Sequence, residues 1–378
     1  MPLNLRDKYA IAGVGNTRYG KVPGMSALSH AVEACRLAIE DAGIAKDEVD
    51  AVLTKAPTAN FQMLWSARVA QSLGIVPRAT ATLDAAGASN VNLIAYACML
   101  IETGQAKAAV ISYGDNPATG SRAAYARIRG EDAAYGLFGA PSSYALAARR
   151  HMYEFGTTHD QLGAVAVNAR RNATKNPNAQ FRDPITLEDY HSSRWLAEPF
   201  HLLDCCPVSD GGAAVVVTSA ERARDLRQTP VSIMGWGQAH PAWDIAARRV
   251  WTTSGAKESG RAAFEMAGIT TEDVDFVQLY DCFTIVPIIT LEDYGFCAKG
   301  EGGAFVEDGR IALDGDLPLN TSGGLLSETG MPGMQLILEA VRQLRCDCGE
   351  RQVKDVRVGV VSNQGGIMTT HATLVLRN

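Results

Sequence analysis

Hydrophobic residues recur at helical spacing in residues 36–43 and again in residues 261–268, and each run ends at a glycine. Acidic residues and a short β-rich run follow in both places. A glycine after an amphipathic run is typical of a helix C-terminus, and a β-branched run after a turn is typical of a strand. The pattern therefore predicts one helix-to-strand unit twice. Residues 36–54 and 261–279 are identical at nine of nineteen positions, about 225 residues apart.

The similarity between the two parts extends over most of the chain. The flanking pairs are residues 9–17 (YAIAGVGNT) with 231–239 (VSIMGWGQA), 107–113 (KAAVISY) with 357–362 (RVGVVS), and 213–219 (AAVVVTS) with 371–377 (HATLVLR). Strands that alternate with helices predict parallel or mixed sheets covered by helices. We therefore expect two α/β halves, residues 1–228 and 229–378.

The two predicted halves differ in one long insertion. About 100 residues separate Tyr113 from Ala213, whereas about ten separate Ser362 from Thr373. Insertions of this length commonly carry function, for example by covering a substrate. We expect a cap at about residues 115–205. Most of its arginines, including those in residues 121–130, are expected to be solvated or paired with the many acidic residues of the cap.

Composition and charge narrow the function further. The 378 residues carry a formal net charge of −6, which gives no basic surface for nucleic acid or an anionic membrane. No apolar stretch approaches the roughly 18 residues of a membrane span, and residues 1–10 do not resemble a secretory signal. The sequence predicts a cytoplasmic chain whose eight cysteines are reduced thiols. Their spacing does not match a zinc site, so we expect no bound metal.

Several loop motifs resemble those of the thiolase superfamily and together cover nearly the whole chain. Residues 83–92 (LDAAGASNVN) are similar to the thiolase nucleophile loop, where a cysteine precedes Ala or Gly, Ser and Gly at a helix start. The other matching stretches are residues 203–214 (LLDCCPVSDGGA), 277–284 (VQLYDCFT), 295–303 (GFCAKGEGG), 320–333 (NTSGGLLSETGMPG) and 361–368 (VSNQGGIM). The chain most resembles the sterol-carrier-protein thiolase and lipid-transfer-like branch that lacks the nucleophilic cysteine.

This resemblance implies a thiolase fold. Two duplicated βαβαβαββ halves would form five layers, α-β-α-β-α, with the cap inserted in the first half. It also implies acyl-CoA as the substrate, no covalently bound cofactor, and a homodimer formed through the sheet of the first half. Members of the branch that act as steroid side-chain aldolases work with a small OB-fold protein, so a heterotetramer with an OB-fold/zinc-ribbon partner is a further expectation.

The catalytic positions of the resembling enzymes are altered in this chain. Gly87 stands where the cysteine is expected, and Gly330 falls at the histidine position. The second cysteine position falls on Ser362 or Asn363, and Tyr280 occupies the third loop. Thiolase chemistry requires a thiolate and a base, which glycine does not supply. We therefore expect no ordinary Claisen reaction. The two glycines predict open volume, with room for branched or ring-bearing acyl groups.

The remaining groups suggest non-covalent chemistry on a thioester. Backbone N–H groups at Gly87 and Gly366, with Ser89 and Asn363 nearby, are candidates to bind the thioester oxygen. The resemblance implies retro-aldol cleavage of a β-hydroxyacyl-CoA by tyrosines. Tyr280 would exchange the proton and Asp281 would orient it.

Other interpretations stay open at the level of sequence. Tyr280 would equally suit a packed aromatic residue under the cap. Cys282 could act as a displaced nucleophile, which would make the chain an acyltransferase, although buried cysteines are commonly inert. Glu328 could be a base, but more readily caps or pairs with the following helix. The third possibility is a non-catalytic acyl-CoA or lipid carrier, or a scaffold subunit.

Overall fold

The chain folds as strands and helices that alternate in the same order in both halves. The computed structural model describes residues 4–59, 62–122, 132–137, 139–242 and 245–378. The first half begins with β1 (Tyr9–Asn16), α1 (Ala27–Ala42), β2 (Ala51–Lys55), α2 (Trp65–Leu73), β3 (Ala79–Leu83), α3 (Ser89–Glu102) and β4 (Ala108–Asp115). The cap follows with α4 (Gly139–Phe155), α5 (His159–Thr174), α6 (Leu187–Ser192), β5 (Trp195–Ala197) and β6 (Phe200–His201). The first half ends with β7 (Gly211–Ser219) and α7 (Ala220–Ala223).

The second half repeats this order without a cap. Its elements are β8 (Val231–Ala239), α8 (Ala256–Ala267), β9 (Phe276–Leu279), α9 (Ile285–Tyr294), α10 (Gly302–Phe305), α11 (Gly324–Ser327), α12 (Met334–Leu344), β10 (Val358–Gly365) and β11 (Thr370–Arg377). The loop between β10 and β11 is a short turn, whereas residues 116–210 separate β4 from β7. The long insertion therefore lies in the first half, as the sequence predicts. The division at residue 228 stays a prediction.

The strands of both halves follow one spatial order. They form a nine-stranded sheet in the order β3-β2-β4-β7-β1-β8-β11-β10-β9. Each half contributes its own β1-like strand at the centre, and β1 joins β8 through only three antiparallel residue pairs. In the second half Leu319 bridges in parallel to Val277, in the place that β3 holds beside β2. The two halves are therefore related copies that meet along a short seam.

Helices lie in three layers around the two parts of the sheet. Helices α3 and α12 each contact strands of both halves, so they form the central layer. Helix α1 packs on β1, β4 and β7, and α8 packs on β8 and β11, which places them on the outer faces. The predicted five-layer α-β-α-β-α arrangement is confirmed.

The repeated glycines of β1 and β8 are packing residues. A Cβ atom on Gly13 would lie 2.2 Å from the carbonyl oxygen of Ala38 in α1, and one on Gly237 would lie 2.0 Å from that of Ser259 in α8. Helix α1 ends at Gly43 with φ +69°, and α8 ends at Gly268 with φ +63°. Glycine takes this left-handed conformation at little cost, which explains why the repeat retains it.

The cap is fastened to loops of the second half. Asn172 in α5 donates its side-chain amide to the carbonyl oxygens of Leu319 and Asn320, at 3.0 and 3.1 Å. Asn168, one turn earlier, donates to the Leu319 carbonyl at 3.3 Å. Both asparagines are buried. The Asn320 carbonyl also accepts from the Gly323 N–H at 2.9 Å, so the cap adds donors to a loop that is already turned by its own backbone. The cap is therefore bonded directly to the segment that lies beside β9.

Candidate active site

Four loops meet around the buried residue Gly87. A Cβ atom on Gly87 would lie 2.2 Å from the carbonyl oxygen of Gln364 and 2.5 Å from Cε2 of Tyr280. The Asn90 side chain, in the first turn of α3, donates to the Pro332 carbonyl at 2.5 Å. The structure thus brings together the ends of β3, β9 and β10 and the loop before α12. The sequence motifs that carry the resemblance come from these same loops.

The ring of Tyr280 occupies the space beside Gly87. Because a side chain at position 87 would overlap both this ring and the Gln364 carbonyl, the position cannot accept a cysteine without movement. The predicted open volume at Gly87 is therefore wrong. A tyrosine ring has taken the room that a small nucleophile would need, and this ring places its phenol in the site.

Gly330 leaves no open volume either. A Cβ atom there would lie 1.6 Å from the carbonyl oxygen of Pro207, and the Gly330 N–H donates to the Ser209 hydroxyl at 3.1 Å. The backbone of residues 207–209 therefore packs directly on Gly330. The prediction of space for bulky acyl groups at this position is wrong, because the close approach comes from a segment distant in sequence.

Asp281 ties the Tyr280 loop to the neighbouring helix. Its carboxylate accepts hydrogen bonds from the N–H groups of Leu325 at 2.6 Å and Leu326 at 3.4 Å, in α11. Burial raises the pKa of the Asp281 carboxyl to about 7, against the opposing effect of these donors. A Cβ atom on Gly324 would lie 2.2 Å from Oδ2 of Asp281. Asp281 thus fixes the position of the loop, and its action on Tyr280 stays a prediction.

Ser89 stabilises the loop before α3. Its hydroxyl donates to the Ala86 carbonyl at 2.8 Å and accepts from the Ala85 N–H at 2.7 Å. The N–H groups of Ala88 and Ser89 bond to the carbonyls of Ala85 and Ala86 at 3.1 and 3.2 Å. These groups are engaged within the turn, so Gly87 is the better candidate donor in this loop. A role for Ser89 in thioester binding stays a prediction.

The turn between β10 and β11 has an unusual backbone. Gly366, Ile367 and Met368 have φ values of +59°, +64° and +59°. Positive φ is costly for a β-branched residue, so surrounding contacts must hold the turn. The Met368 N–H donates to Oε1 of Gln364 at 2.9 Å, and Arg248 donates to the Ile367 carbonyl at 3.2 Å. The turn presents Gly366 at the partly exposed rim of the site.

Asn363 bonds to the loop before α12. Its Nδ2 donates to the Gly333 carbonyl at 3.3 Å. Ser362, the other candidate for the second cysteine position, contacts His371 Nε2 at 2.8 Å. Burial lowers the pKa of His371 to about 3, so this ring is neutral. Asn363 is therefore placed between two site loops, and its contact with a thioester stays a prediction.

Cys282 is a poor nucleophile in this environment. It is buried, and burial raises the pKa of its thiol above the ordinary range. Gln364 donates to its sulfur at 3.4 Å. A thiol acts as a nucleophile in its thiolate form, which this environment disfavours.

All eight cysteines of the chain are free thiols. Within the described ranges, no group of three or more His, Cys, Asp or Glu side chains has the arrangement of a metal site.

Glu328 is a buried acid near Gly330. It accepts a hydrogen bond from the Ser322 hydroxyl at 2.6 Å. Burial, followed by the charge of Glu339, raises the pKa of its carboxyl to about 7. The bond to Ser322 closes the loop that leads into α11. Its role as a base stays a prediction.

Replacing Glu328 with glutamine is expected to flatten the pH dependence of stability. In the folded chain the pKa of the Glu328 carboxyl is raised from 4.5 to about 7. The free energy of unfolding that the protonated Glu328 carboxyl contributes is therefore complete below the unfolded pKa. It falls by about 1.4 kcal/mol per pH unit as the pH rises towards the folded pKa. Urea unfolding of both proteins between about pH 5 and pH 7 measures this difference. Unfolding free energies that differ by the same amount at every pH would contradict it.

Two buried residues beside these loops were not predicted from the sequence. Tyr144 in α4 and Gln364 in β10 are both buried, and Gln364 Nε2 donates to the Tyr144 hydroxyl at 2.7 Å. Gln364 stands inside the motif of residues 361–368, so its position offered a signal. Tyr144 lies in a cap helix with no distinguishing pattern.

Two of the cap arginines form ion pairs, as the sequence predicts for most of them. Arg149 pairs with Glu198, and Arg150 pairs with Glu154. Residues 123–131 lie outside the described ranges.

The duplicated halves, the central helices and the convergence of these loops define a thiolase-type site. The chain belongs to the thiolase family: residues 10–221 match the thiolase N-terminal domain, and residues 237–378 match the thiolase C-terminal domain-like family.

Three known proteins resemble the chain over nearly its full length. An acetyl-CoA acetyltransferase of Methanothermobacter thermautotrophicus is 38% identical, covering 96% of this chain and 97% of that protein. A steroid side-chain-cleaving aldolase of Thermomonospora curvata is 36% identical, covering 96% of each. The solved structure of an Ltp2-ChsH2(DUF35) aldolase superposes with a TM-score of 0.89 at 37% identity, covering 99% of this chain and 98% of that chain. The resemblance to the aldolase branch is confirmed.

No helix in the described part of the chain is both long and apolar enough to cross a membrane.

Proposed function

We propose that the chain is a carbon–carbon lyase that cleaves a β-hydroxyacyl-CoA by a retro-aldol reaction. The observation that carries this proposal is the ring of Tyr280 packed against Gly87, where a Cβ atom would lie 2.5 Å from the ring. A phenol stands where a covalent enzyme needs its nucleophile. The two aldolases that resemble the chain support the same reaction class.

In this reaction, the phenolate oxygen of Tyr280 takes the proton of the β-hydroxyl group. The C–O bond becomes a carbonyl, the Cα–Cβ bond breaks, and its electron pair forms the enolate of the shortened thioester. Backbone N–H groups at Gly87 and Gly366 would stabilise the negative oxygen of that enolate. Protonation of Cα then gives the acyl-CoA product. No oxidant or bound cofactor takes part, because the substrate proton and electron pair are both retained in the products.

Incubation of the purified protein with a β-hydroxyacyl-CoA tests the proposal. We expect release of an aldehyde or ketone and of a shortened acyl-CoA in equal amounts, measured by chromatography. Intact-mass spectrometry should show an unmodified protein throughout. An increase in protein mass by one acyl group would instead support an acyltransferase with Cys282 as nucleophile. Binding of acyl-CoA without turnover, in the presence of its partner, would support a carrier.

We also propose a homodimer formed through β3. This strand is at the edge of the sheet, and its residues are alternately half-buried and exposed. An edge strand presents unpaired backbone groups that a second copy can pair with. Light scattering should give twice the chain mass of 40.3 kDa. A monomer at micromolar concentration would contradict this proposal.

A small OB-fold/zinc-ribbon partner that forms a heterotetramer is proposed as well. The support is the solved Ltp2-ChsH2(DUF35) aldolase, whose chain superposes on this one over nearly its full length. Co-expression with a DUF35 protein of the same organism should yield a stable complex with higher cleavage activity.

We also propose that the enzyme is cytoplasmic, because a reducing environment would preserve its eight free thiols.

A further inference from the structure

The proposed reaction moves two protons at different atoms. One leaves the β-hydroxyl oxygen, and the other arrives at Cα after the carbon–carbon bond has broken. A side chain that transfers a proton must be within hydrogen-bond reach of the atom concerned. Tyr280 accounts for the first transfer. The second requires another dissociable group close to Tyr280, and Tyr144 is a phenol packed against the loop that carries Tyr280.

Tyr144 comes from the cap and enters the second half of the molecule. Its side chain is 4% exposed, and its ring stacks on Phe283 with centroids 4.6 Å apart. Phe283 is three residues after Tyr280 in the same loop. Helix α4 therefore packs the Tyr144 ring against the loop that carries Tyr280.

Hydrogen bonds fix the direction of this phenol. Its oxygen lies 2.7 Å from Nε2 and 3.1 Å from Oε1 of Gln364, and it also bonds to Cys282. The backbone carbonyl of Gln364 is the atom closest to the Cβ position of Gly87, at 2.2 Å. One residue therefore joins Tyr144 to the place where Gly87 and Tyr280 meet.

The charge state of Tyr144 suits a proton donor. Burial raises the pKa of its phenol well above the usual value, so the neutral form is present at physiological pH. The titratable and charged groups around the phenol are the thiols of Cys282 and Cys206 and the guanidinium of Arg248. Arg248 is buried and held by the carbonyl of Ile367. A nearby fixed cation would stabilise the phenolate that remains after proton donation.

We propose that Tyr144 is a catalytic residue that donates the proton to Cα of the enolate. The proposal rests on the retro-aldol function. The O–H bond of Tyr144 breaks, the C–H bond of the product forms, and a phenolate remains. Tyr280 then carries the proton taken from the β-hydroxyl group. Water that enters as the products leave returns one proton from Tyr280 to Tyr144, so the cycle closes without net proton change.

The Tyr144→Phe variant is the first test, because phenylalanine keeps the ring on Phe283. We expect kcat for cleavage to fall by about 100-fold, with the dissociation constant for a non-cleavable acyl-CoA changed by no more than about twofold. Tyr153→Phe is the matched control, since Tyr153 lies on the same helix and is 82% exposed. A normal kcat in Tyr144→Phe would overturn the inference.

A second measurement separates proton donation from packing. In D₂O the wild-type protein should exchange the α-proton of the acyl-CoA product, a reaction that involves no β-hydroxyl group. Tyr144→Phe should slow this exchange by the same factor as cleavage. Fluorotyrosine at position 144, which keeps the packing and lowers the phenol pKa, should shift the alkaline limb of the kcat profile to lower pH. Unchanged exchange and an unshifted profile would assign Tyr144 a structural role only.

These outcomes are distinct from failure of the proposed function. If the wild-type protein cleaves no β-hydroxyacyl-CoA, the retro-aldol proposal fails. If the wild-type protein cleaves and exchanges normally and Tyr144→Phe does the same, only the role of Tyr144 fails.

Discussion

Replacing Tyr280 with phenylalanine is expected to lower kcat for carbon–carbon cleavage by about 100- to 1,000-fold, while acyl-CoA binding changes by no more than about twofold. The ring would still pack against Gly87, since that contact involves ring carbons Cε2 and Cζ. Only the phenol that takes the β-hydroxyl proton would be lost. Steady-state kinetics and calorimetric titration with a non-cleavable thioester measure the two effects separately.

Tyr294→Phe provides a buried control in the same half. The Tyr294 hydroxyl contacts Thr373 Oγ1 at 2.7 Å and His371 Nε2 at 3.3 Å, so its loss should cost about 1 kcal/mol of stability without a large change in kcat. Full cleavage activity in Tyr280→Phe would refute the catalytic assignment. It would favour the interpretation of Tyr280 as a packed aromatic residue.

Restoring a cysteine at position 87 is expected to damage the protein instead of creating a thiolase. The new side chain would begin 2.2 Å from the Gln364 carbonyl and 2.5 Å from the Tyr280 ring. Overpacking of this kind costs about 1–3 kcal/mol, and displacement of Tyr280 should also reduce cleavage by at least about tenfold. Thermal unfolding and intact-mass analysis after incubation with acyl-CoA provide the measurements.

The double variant Gly87→Cys, Tyr280→Gly identifies the cause of that damage. Removing the ring should recover part of the lost stability, because the two positions are in contact and their effects are then not additive. The Gln364 carbonyl would still crowd the cysteine, so recovery should be incomplete. A fully stable Gly87→Cys variant that becomes acylated would contradict the expected clash. It would show that the backbone at Gln364 shifts at little cost in free energy.

The architecture could be predicted from the sequence because the repeated residues are needed for helix ends and helix–strand contacts within each copy. Gly43 and Gly268 end helices at positive φ, and Gly13 and Gly237 let helices approach strands. These demands act within one helix-to-strand unit, so they recur in both copies and are readable from the chain.

The site was less predictable because its details depend on segments distant in sequence. Gly330 is crowded by Pro207, more than one hundred residues earlier, and this contact removes the space that its missing side chain suggested. Tyr144 reaches Gln364 across 220 positions. Substitution of a catalytic residue by glycine indicates lost chemistry. It does not show whether the vacated volume is open or filled by a neighbouring residue.

The asparagines of the cap make the second half depend on the first half for part of its loop structure. Asn168 and Asn172 of the first half hold the carbonyls of Leu319 and Asn320, and the Asn320 side chain in turn bonds the backbone of Leu279, directly before Tyr280. A separately expressed second half would therefore lack the donors that shape its own reactive loop. The repeat suggests two units that could fold independently. A split or permuted version of this enzyme would nevertheless need residues 115–205 of the first half to be present while the second half folds.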